Sequence, residues 1–528
     1  MLIMRVILNN GRPTVRLLRT LTILVLGLVL GACGTPQPGT QRGGERPIRL
    51  AVARMAAGVD PADDLSSSYL RMYGAAEALT KIQPDGTVAP ELAERMEQTA
   101  ADTWTVTLRA GAVFWSGAPV NAQAVVASLE RSREHSTNAK GLLAGVAIAA
   151  DGDRTVTFRS EGPAPYFDYS LAHYATAIHN AAAYQGGNPT DAAIADLTGP
   201  YRLTGFETER SATLERHERW WGGRTGAPGV QVTLVPDDQS RAEIALSGQA
   251  DIVESFPSGR AEEARGAGLQ IVSQPSATTV AVYLNPSSKR APALADQDVR
   301  QALAWGTDRT NVVDLATKGL AAPLPSWLAS NPAYPKAAAT GFTSFDPDRA
   351  KRLLDRAGWT AGPDGMRSKN GRPLVIRLLT FGAEAPSGEV LQAQWRALGV
   401  DLQVRSVEAS LVTQSLKSGD WDAVTQAWTT LGNVPAFLDN QIGPQGAGNH
   451  GRYRVEGVAE TIRQATVAKD SAAREAAVLK VNRMMAETVP SIPLHTRVAA
   501  VALAAGVQGF VGHPLQYETI IRGDLTVS

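Results

Sequence analysis

The sequence predicts an α/β protein built from two similar lobes. Its 528 residues exceed what one hydrophobic core usually fills. Strand patterns of period two alternate with helical patterns along the chain. One motif also recurs at the same spacing, as Ser247-Gly-x-x-Asp251-x-Val253 and as Ser418-Gly-x-x-Asp422-x-Val424. In each copy the glycine is suited to end a helix in a left-handed cap, and the aspartate to open a strand. We therefore expect two related strand–helix–strand units.

The first 47 residues are predicted to lie outside the folded lobes. Four arginines precede an apolar run over residues 21–30, and small residues follow it. This order is typical of a secretory signal peptide, here residues 1–32, because the run is about half the length that spans a bilayer. Residues 33–47 are rich in Gly, Pro, Thr and Gln, which predicts a flexible linker.

Cys33 is the only cysteine, so an intramolecular disulfide is excluded. The segment Leu30-Gly31-Ala32-Cys33 resembles a bacterial lipobox. That resemblance implies cleavage before Cys33 and acylation of its thiol, and several acyl chains at one residue hold a protein firmly on a membrane. The alternative is an uncleaved anchor in which Cys33 is merely a small apolar residue.

In the first half of the chain, folded sequence is expected from Ile48, beginning with a strand. Strands at 104–108 and 155–158 flank a helix over 121–133 that Asn121 caps. Two paired strands of one β element are predicted at residues 201–203 and 213–216, and a buried strand at 230–237. A helix over 237–246 completes this half.

In the second half, Asp346 is expected to cap a helix with Pro347 in its first turn and Gly358 at its end. Residues 391–399 predict another helix, stopped by Gly399, and 400–407 a strand. A short helix then ends at Ser418-Gly419, and a strand begins at Trp421. Residues 456–487 read as one or two helices, which Pro490 and Pro493 end.

Enzyme signatures are missing from the sequence. Neither G-x-S-x-G nor H-E-x-x-H occurs, and a single cysteine excludes a thiolate metal site. The G-x-G-x-x-G at 446–451 lacks a preceding strand and is read as a mobile loop. Zero net charge and the lack of a basic, aromatic-lined stripe argue against nucleic acid. No catalytic residue, cofactor or protein-held metal is assigned.

Several segments occur in the order of one known family. They include AAEALTKIQPDGTVAPELAERME at 75–97, TGPYRLTGFE at 198–207, FDPDRAKRLLDRAGW at 345–359, SGDWDAVTQAW from Ser418, and VPSIPLH from Val489. In this order they resemble the family 5 extracellular solute-binding proteins of bacteria, which serve dipeptide, oligopeptide and nickel importers.

The resemblance implies a two-lobed, periplasmic-binding-protein-like fold of type II, class C, with a small extra domain inserted in the first lobe. Lobe I is expected over 48–284 plus 490–528 and lobe II over 285–489, with chain crossings near Asn285 and Pro490. The ligand would occupy a cleft between the lobes, which close around it.

The function that this resemblance implies is transport rather than catalysis. The chain is expected to be the substrate-binding lipoprotein of an ABC importer, a monomer facing the periplasm or cell exterior. It would deliver a peptide or peptide-like solute to the permease and ATPase subunits. The alternatives are a receptor for a metallophore, nickel chelate, opine or sugar, a sensor input module and, least favoured, a secreted hydrolase.

Ligand contacts are expected at Trp428, Thr429 and Leu431, where a strand gives way to turn-forming residues. In peptide-binding members an aspartate three residues after a cleft tryptophan pairs with the ligand's α-ammonium, and Leu431 takes that place. Trp115 and Tyr453 are further candidates, although each aromatic side chain suits a core equally well. His450 lies near a ligand histidine of nickel-binding members, but one histidine makes a poor metal site.

Overall fold

Two separate β-sheets, each flanked by helices, organise the chain in the computed structural model. The structure describes residues 46–185, 190–273, 276–468, 470–515, 518 and 520–528. The predicted signal peptide, Cys33 and most of the predicted linker lie outside these residues. None of the helices in the described ranges is long and apolar enough to cross a membrane.

The strands form where short runs of apolar and β-branched residues turn alternate side chains into a core. In chain order they are β1 (Ile48–Val52), β2 (Thr80–Ile82), β3 (Val88–Pro90), β4 (Ala93–Ala100), β5 (Thr103–Leu108), β6 (Val146–Ala150), β7 (Thr155–Ser160), β8 (Tyr201–Glu207), β9 (Ser211–Arg216), β10 (Gly229–Leu234), β11 (Ile252–Val253), β12 (Gln270–Ser273), β13 (Thr278–Leu284), β14 (Thr360–Ala361), β15 (Arg367–Lys369), β16 (Arg372–Pro373), β17 (Val375–Thr380), β18 (Asp401–Ser406), β19 (Ala423–Thr429), β20 (Ser491–Thr496), β21 (Ala500–Leu503), β22 (Val507–Gln508) and β23 (Thr526–Val527).

Most of the longer α-helices begin where an aspartate or asparagine side chain accepts a first-turn N–H, as at Asn121, Asp237 and Asp346. In chain order they are α1 (Asp64–Met72), α2 (Ala122–His135), α3 (Thr137–Leu142), α4 (Phe167–Ser170), α5 (Asp238–Leu246), α6 (Ala261–Gly266), α7 (Gln297–Trp305), α8 (Arg309–Ala316), α9 (Pro347–Arg356), α10 (Ala385–Arg396), α11 (Ala409–Ser418), α12 (Val434–Ile442), α13 (Val458–Val467) and α14 (Ser471–Thr488).

The first sheet has seven strands in the order β12-β21-β11-β1-β10-β9-β8. Its centre is parallel, because β1 pairs in parallel with both β10 and β11. Ile48, Leu50 and Val52 of β1 are fully or almost fully buried in its core. The predicted pair of strands at 201–216 is the antiparallel pair β8 and β9.

The second sheet has five strands in the order β18-β17-β19-β13-β20. Here β17 is parallel to β18 and β19, while β13 runs antiparallel to both β19 and β20. One face packs around the fully buried Trp395 of α10. The other face packs against α12, α13 and α14 through residues such as Leu438, Ile462 and Val481.

A smaller antiparallel sheet, β4-β5-β7-β6, lies in sequence between β1 and β8 of the first sheet. Its core packs Val106 and Phe158 of the sheet against Leu129 of α2. The chain therefore carries two mixed sheets and one inserted smaller sheet. This confirms the predicted α/β class with an extra element inserted in the first half.

The strand pairing differs from the predicted crossing points at Asn285 and Pro490. Both β13 and β20 belong to the second sheet, although the expected boundaries put residues 278–284 and 490–496 in the first lobe. The chain passes between the sheets earlier, between β12 and β13, and returns later, between β20 and β21. Asn285 directly follows β13 and Pro490 directly precedes β20, so both flank strands of the second sheet, a position that sequence alone does not distinguish from a crossing.

The repeated motif marks equivalent places in the two sheets. Asp251 precedes β11, and its carboxylate accepts the backbone N–H of Arg49 on the parallel neighbour β1 at 2.8 Å. Asp422 precedes β19, and its carboxylate accepts the backbone N–H of Arg377 on the parallel neighbour β17 at 3.2 Å. Both aspartates are almost fully buried. Each copy of the motif thus joins two parallel strands at their amino ends.

Candidate functional site

The carboxyl ends of the parallel strands in both sheets open onto one cleft of about 1440 Å³. Segments after β1, β10 and β11 line it from the first sheet, together with one face of α1. Segments after β17, β18 and β20 line it from the second sheet, together with α11. Ligands of α/β proteins bind outside the carboxyl ends of strands, so we take this cleft as the candidate site.

The wall from the first sheet is built around Glu254 and Ser255, which follow β11. Glu254 is buried, and its carboxylate accepts the backbone N–H of Ala53 at 3.2 Å and the hydroxyl of Ser255. Ser255 adopts a left-handed backbone conformation with φ of 51°. Non-glycine residues are strained there, and strained residues concentrate at functional sites.

Arg241 of α5 holds this strained turn in place. Its buried guanidinium donates to the carbonyl oxygen of Ser255 at 2.9 and 3.2 Å and to the carbonyl oxygens of Val235 and Pro236 at 2.8 Å. It also pairs with Asp238. The guanidinium of Arg241 therefore supports the backbone of the cleft wall, and Asp238 already balances its charge.

Tyr69 of α1 stands beside these residues in the wall. Burial, and then the negative charge of Glu254, raise the pKa of Tyr69 to about 12, while the positive charge of Arg54 acts in the opposite direction. The phenol thus remains a neutral donor or acceptor at physiological pH. Arg54 follows β1, and its side chain is exposed to the cleft.

The wall from the second sheet contains a fixed ion pair and a neutral histidine. Arg497 donates to the buried carboxylate of Glu384 at 2.6 Å. Burial lowers the pKa of His495, so the imidazole is neutral at pH 7. His495 Nδ1 lies 2.8 Å from the carbonyl oxygen of Thr496, which requires the proton on Nδ1 and leaves Nε2 to accept from Ser387 at 2.9 Å.

Arg405 and Glu408 complete this wall at the carboxyl end of β18. Both side chains are exposed and line the cleft. Glu408 occupies the N-cap position of α11 without a capping hydrogen bond from its side chain. Phe381, Val407 and Leu411 supply apolar surface between the charged groups.

The predicted residues Trp428 and Thr429 end β19, at the same edge of the second sheet, but they do not line the cleft. The half-buried Trp428 packs against the core beneath α12–α14, and its Nε1 is buried without a hydrogen-bond partner among the described residues. The hydroxyl of Thr429 lies 3.1 Å from that of Thr278. Leu431 packs half-buried against the cluster of Ile82, Ala172 and Leu515.

Trp115 and Tyr453 lie inside cores, and His450 is half-buried beside Tyr283. Trp115 is 6% exposed in the core of the first sheet and donates to the carbonyl oxygen of Gly199 at 3.1 Å. Tyr453 is 7% exposed and donates to the carbonyl oxygen of Leu284 at 3.0 Å. His450 meets Tyr283 edge-on, with ring centroids 6.0 Å apart, and burial lowers its pKa. Within the described ranges, no group of three His, Cys, Asp or Glu residues is placed to hold a metal.

Sequence reasoning missed the charged residues of the cleft, Arg54, Glu254, Arg405 and Arg497. A usable signal was present, because each follows or ends a strand of one of the two mixed sheets. In a parallel unit the residue just after the strand belongs to the ligand edge. The repeated motif located β11 and β19 but did not indicate which other strands end beside them.

Comparisons with known proteins extend across both sheets. The family model described as bacterial extracellular solute-binding proteins, family 5 Middle, matches residues 87–449. The nickel-binding periplasmic protein of Escherichia coli (strain K12) is 26% identical over 401 residues, covering 70% of this chain and 73% of that protein. The oligopeptide-binding protein OppA of Bacillus subtilis (strain 168) is 22% identical over 514 residues, covering 90% and 92%.

Solved structures share the fold. NikA from Brucella suis in complex with Fe(III)-EDTA matches with a TM-score of 0.81 and 24% identity over 92% of this chain and 100% of that one. The nickel ABC transporter structure from Bacillus halodurans matches with a TM-score of 0.78 and 25% identity over the same 92% and 100%. The overall fold is therefore common to this chain and to these two structures.

Proposed function

The chain belongs to the bacterial extracellular solute-binding proteins of family 5, and on that premise we propose that it captures a peptide or peptide-like solute in the cleft and delivers it to the permease of an ABC importer. The observation that carries this proposal is the cleft itself, which joins the carboxyl edges of both sheets. Its volume of about 1440 Å³ suits a ligand larger than a single amino acid. The relatives are named as binding proteins rather than enzymes.

We assign the lobes by sheet membership. Lobe I comprises the first sheet and the inserted sheet, and lobe II comprises the second sheet with its helices. The two chain passages, between β12 and β13 and between β20 and β21, form the hinge. Closing of the lobes on a solute would present a joined surface to the permease. We further propose that the receptor acts as a monomer.

Attachment to the membrane is proposed from the N-terminal sequence. Removal of residues 1–32 and acylation of Cys33 would leave residues 34–47 as a tether on the periplasmic or outer face. Cys33→Ser should then yield protein that does not partition into detergent with the membrane fraction. A Cys33→Ser protein that remained acylated and membrane-bound would contradict the anchor.

A chelated metal is the second candidate cargo. Two observations favour it. Relatives named for nickel binding are among the matches, and Leu431 stands where an aspartate meets the ammonium of a free peptide in peptide-binding members. The same cleft would serve either cargo, because both are compact polar solutes with apolar surface.

Native mass spectrometry of the purified chain tests the function and separates the two cargoes. A co-purifying species of peptide mass, released by mild denaturation, supports the first proposal, and a metal-containing species supports the second. Calorimetry with a tripeptide library and with nickel(II)–histidine then gives the affinity. A protein that retains no solute and binds neither probe would not be a receptor of this kind.

A further inference from the structure

Four cationic and four acidic side chains line the cleft, and two ion pairs already form among them. Arg241 pairs with Asp238, and Arg497 pairs with Glu384. The carboxylate of Glu254 accepts hydrogen bonds from Ala53 and Ser255. The two ion pairs are therefore matched within their own walls, and both oxygens of Glu254 already accept a hydrogen bond, before any ligand arrives.

Glu408 has no ion pair among the described residues, but it is compensated differently. Its carboxylate sits at the N-cap position of α11, which is the positive end of a ten-residue helix dipole. Acidic side chains are stabilised at that position. Glu408 therefore needs no cation from the ligand.

Two arginines remain uncompensated, one in each wall. Within the described residues neither Arg54 nor Arg405 forms an ion pair, and no hydrogen bond of either guanidinium is found. Arg54 follows β1 of the first sheet, and Arg405 lies in β18 of the second, so both line the cleft at carboxyl edges. When the cleft narrows, two like charges approach each other across a region that loses water, and their repulsion grows.

We infer that the solute carries a carboxylate that meets Arg54 from one wall and Arg405 from the other, so that the cleft closes on an anionic group. Guanidinium groups suit this role because their parallel N–H donors match the two oxygens of a carboxylate. The inference rests on the proposed receptor function and adds the charge of the cargo. The carboxylate can belong to a peptide C-terminus or to a metal-chelating acid.

The remaining surface fits such a ligand. Phe256, Phe381 and Leu411 offer apolar contacts, and the neutral Tyr69 offers a hydrogen bond. Arg54 and Arg405 are the cleft cations without an ion pair among the described residues, so they are the groups of this surface that an acidic solute can contact. The carboxylate is therefore the charged group of the solute that Arg54 and Arg405 would recognise.

The test compares matched probes by calorimetry on the purified full-length chain. One arm uses a tripeptide library with free C-terminal carboxylates against the same library with C-terminal amides. The other arm uses nickel(II)–citrate against nickel(II)–diethylenetriamine, which has no carboxylate. We expect at least one carboxylate probe to bind at least about tenfold more tightly than its counterpart. The arm in which this occurs shows whether the recognised carboxylate belongs to a peptide or to a metal chelate.

Variants test whether the preference for carboxylate probes depends on Arg54 and Arg405. Arg54→Gln and Arg405→Gln should each weaken the carboxylate probe by about tenfold or more and leave its counterpart unchanged. Arg202→Gln on β8 and Arg377→Gln on β17 are matched controls, since both are exposed strand arginines outside the cleft. Glu408→Gln should not weaken the carboxylate probe.

The outcomes separate this inference from the function on which it rests. Tight binding of the carboxylate-free probes, or carboxylate binding by both arginine variants at the level of the controls, overturns the inference and leaves the receptor function intact. Failure of the wild-type chain to bind or retain any solute removes both.

Discussion

Asp251 fixes the amino ends of two strands in the first sheet with one carboxylate. It accepts the backbone N–H of Arg49 at 2.8 Å and pairs with the side chains of Arg46 and Arg49 at 2.7 Å. Burial alone would raise the pKa of Asp251, but the hydrogen bonds from Arg46 and Arg49 outweigh it and lower the pKa to about 2. The ionised form is therefore what the folded chain requires.

Asp251→Asn should lower the free energy of unfolding by about 1–2 kcal/mol at pH 7, because a charged acceptor is lost while its partners are partly exposed. A carboxyl whose folded pKa is depressed stabilises the fold fully above its ordinary pKa and loses this effect as pH falls towards the folded value. The difference in unfolding free energy between the wild type and Asp251→Asn should thus become smaller between about pH 4 and pH 2.

Urea unfolding at pH 7, 4 and 3 measures that difference. Asp314→Asn is the control, since Asp314 is exposed on α8 and has no ion pair within the described chain. A difference for Asp251→Asn that stayed constant with pH would show that the carboxylate charge does not stabilise the sheet.

Trp428 lies near the carboxyl end of β19, outside the residues that line the cleft, and its indole is unsatisfied. It is half-buried at the end of β19, and no described residue accepts from its Nε1. Buried polar atoms normally have partners, so a ligand or a bound water is the expected acceptor. If a ligand supplies it, Trp428→Ala should weaken solute binding by about 1–3 kcal/mol with the fold intact.

Calorimetry with the co-purified solute checks this expectation. Trp104→Ala is the matched control, because Trp104 is also half-buried on a strand, β5 of the inserted sheet, but its indole donates to the carbonyl oxygen of Ala164. Equal affinity in the Trp428 and Trp104 variants would assign Trp428 to the core alone.

At the scale of elements, the glycines of the repeated motif end two helices of the same kind. Gly248 follows α5 with φ of 69°, and Gly419 ends α11 with φ of 76°. A Cβ at either position would meet no atom within 4 Å. A substitution there is therefore disfavoured by the backbone conformation and not by a clash.

Gly248→Ala and Gly419→Ala should each cost about 1 kcal/mol of stability, because only glycine adopts the left-handed conformation without penalty. Gly259→Ala is the control, since a Cβ there also meets no atom within 4 Å and its φ lies outside the positive region. Thermal unfolding of the three variants gives the comparison, and a loss as large at Gly259 would exclude the cap as the cause.

The elements were largely predictable because their signals are local. Asn121 and Asp346 cap the helices that they were expected to cap, and Gly358 and Gly419 follow theirs as expected. The cleft was not predictable in the same way. Arg54 and Arg405 are brought together by two sheets that assemble from distant segments, and no short-range pattern records which strand ends share a cleft. The sequence left Trp115 and Tyr453 open between a core and a cleft, because an aromatic pattern fits both equally well, and the structure buries both side chains.

At the scale of the whole molecule, two chain passages connect the two mixed sheets, and the proposed closure of the lobes would turn about these passages. Leu65 on α1 and Leu315 on α8 are useful reporters of this motion. They are 49% and 54% exposed, and their helical neighbours Tyr69 and Ala316 line the cleft from opposite sides. Cys33 is the only native cysteine, so labels can be placed at chosen positions after Cys33→Ser.

Spin labels on Leu65→Cys and Leu315→Cys should therefore move closer by several ångströms when solute is added, because closure narrows the cleft between their helices. Double electron–electron resonance measures the distance distribution with and without the co-purified solute. The pair Leu315→Cys and Phe345→Cys lies within the second lobe and should show no change. In Arg54→Gln and Arg405→Gln, a higher solute concentration than in the wild type should be needed for the same change in label distance. The reason is that closure and carboxylate binding are coupled in the proposed mechanism. An unchanged Leu65–Leu315 distance at saturating solute would mean that binding does not close these lobes, and the permease would then have to recognise the loaded receptor by another feature.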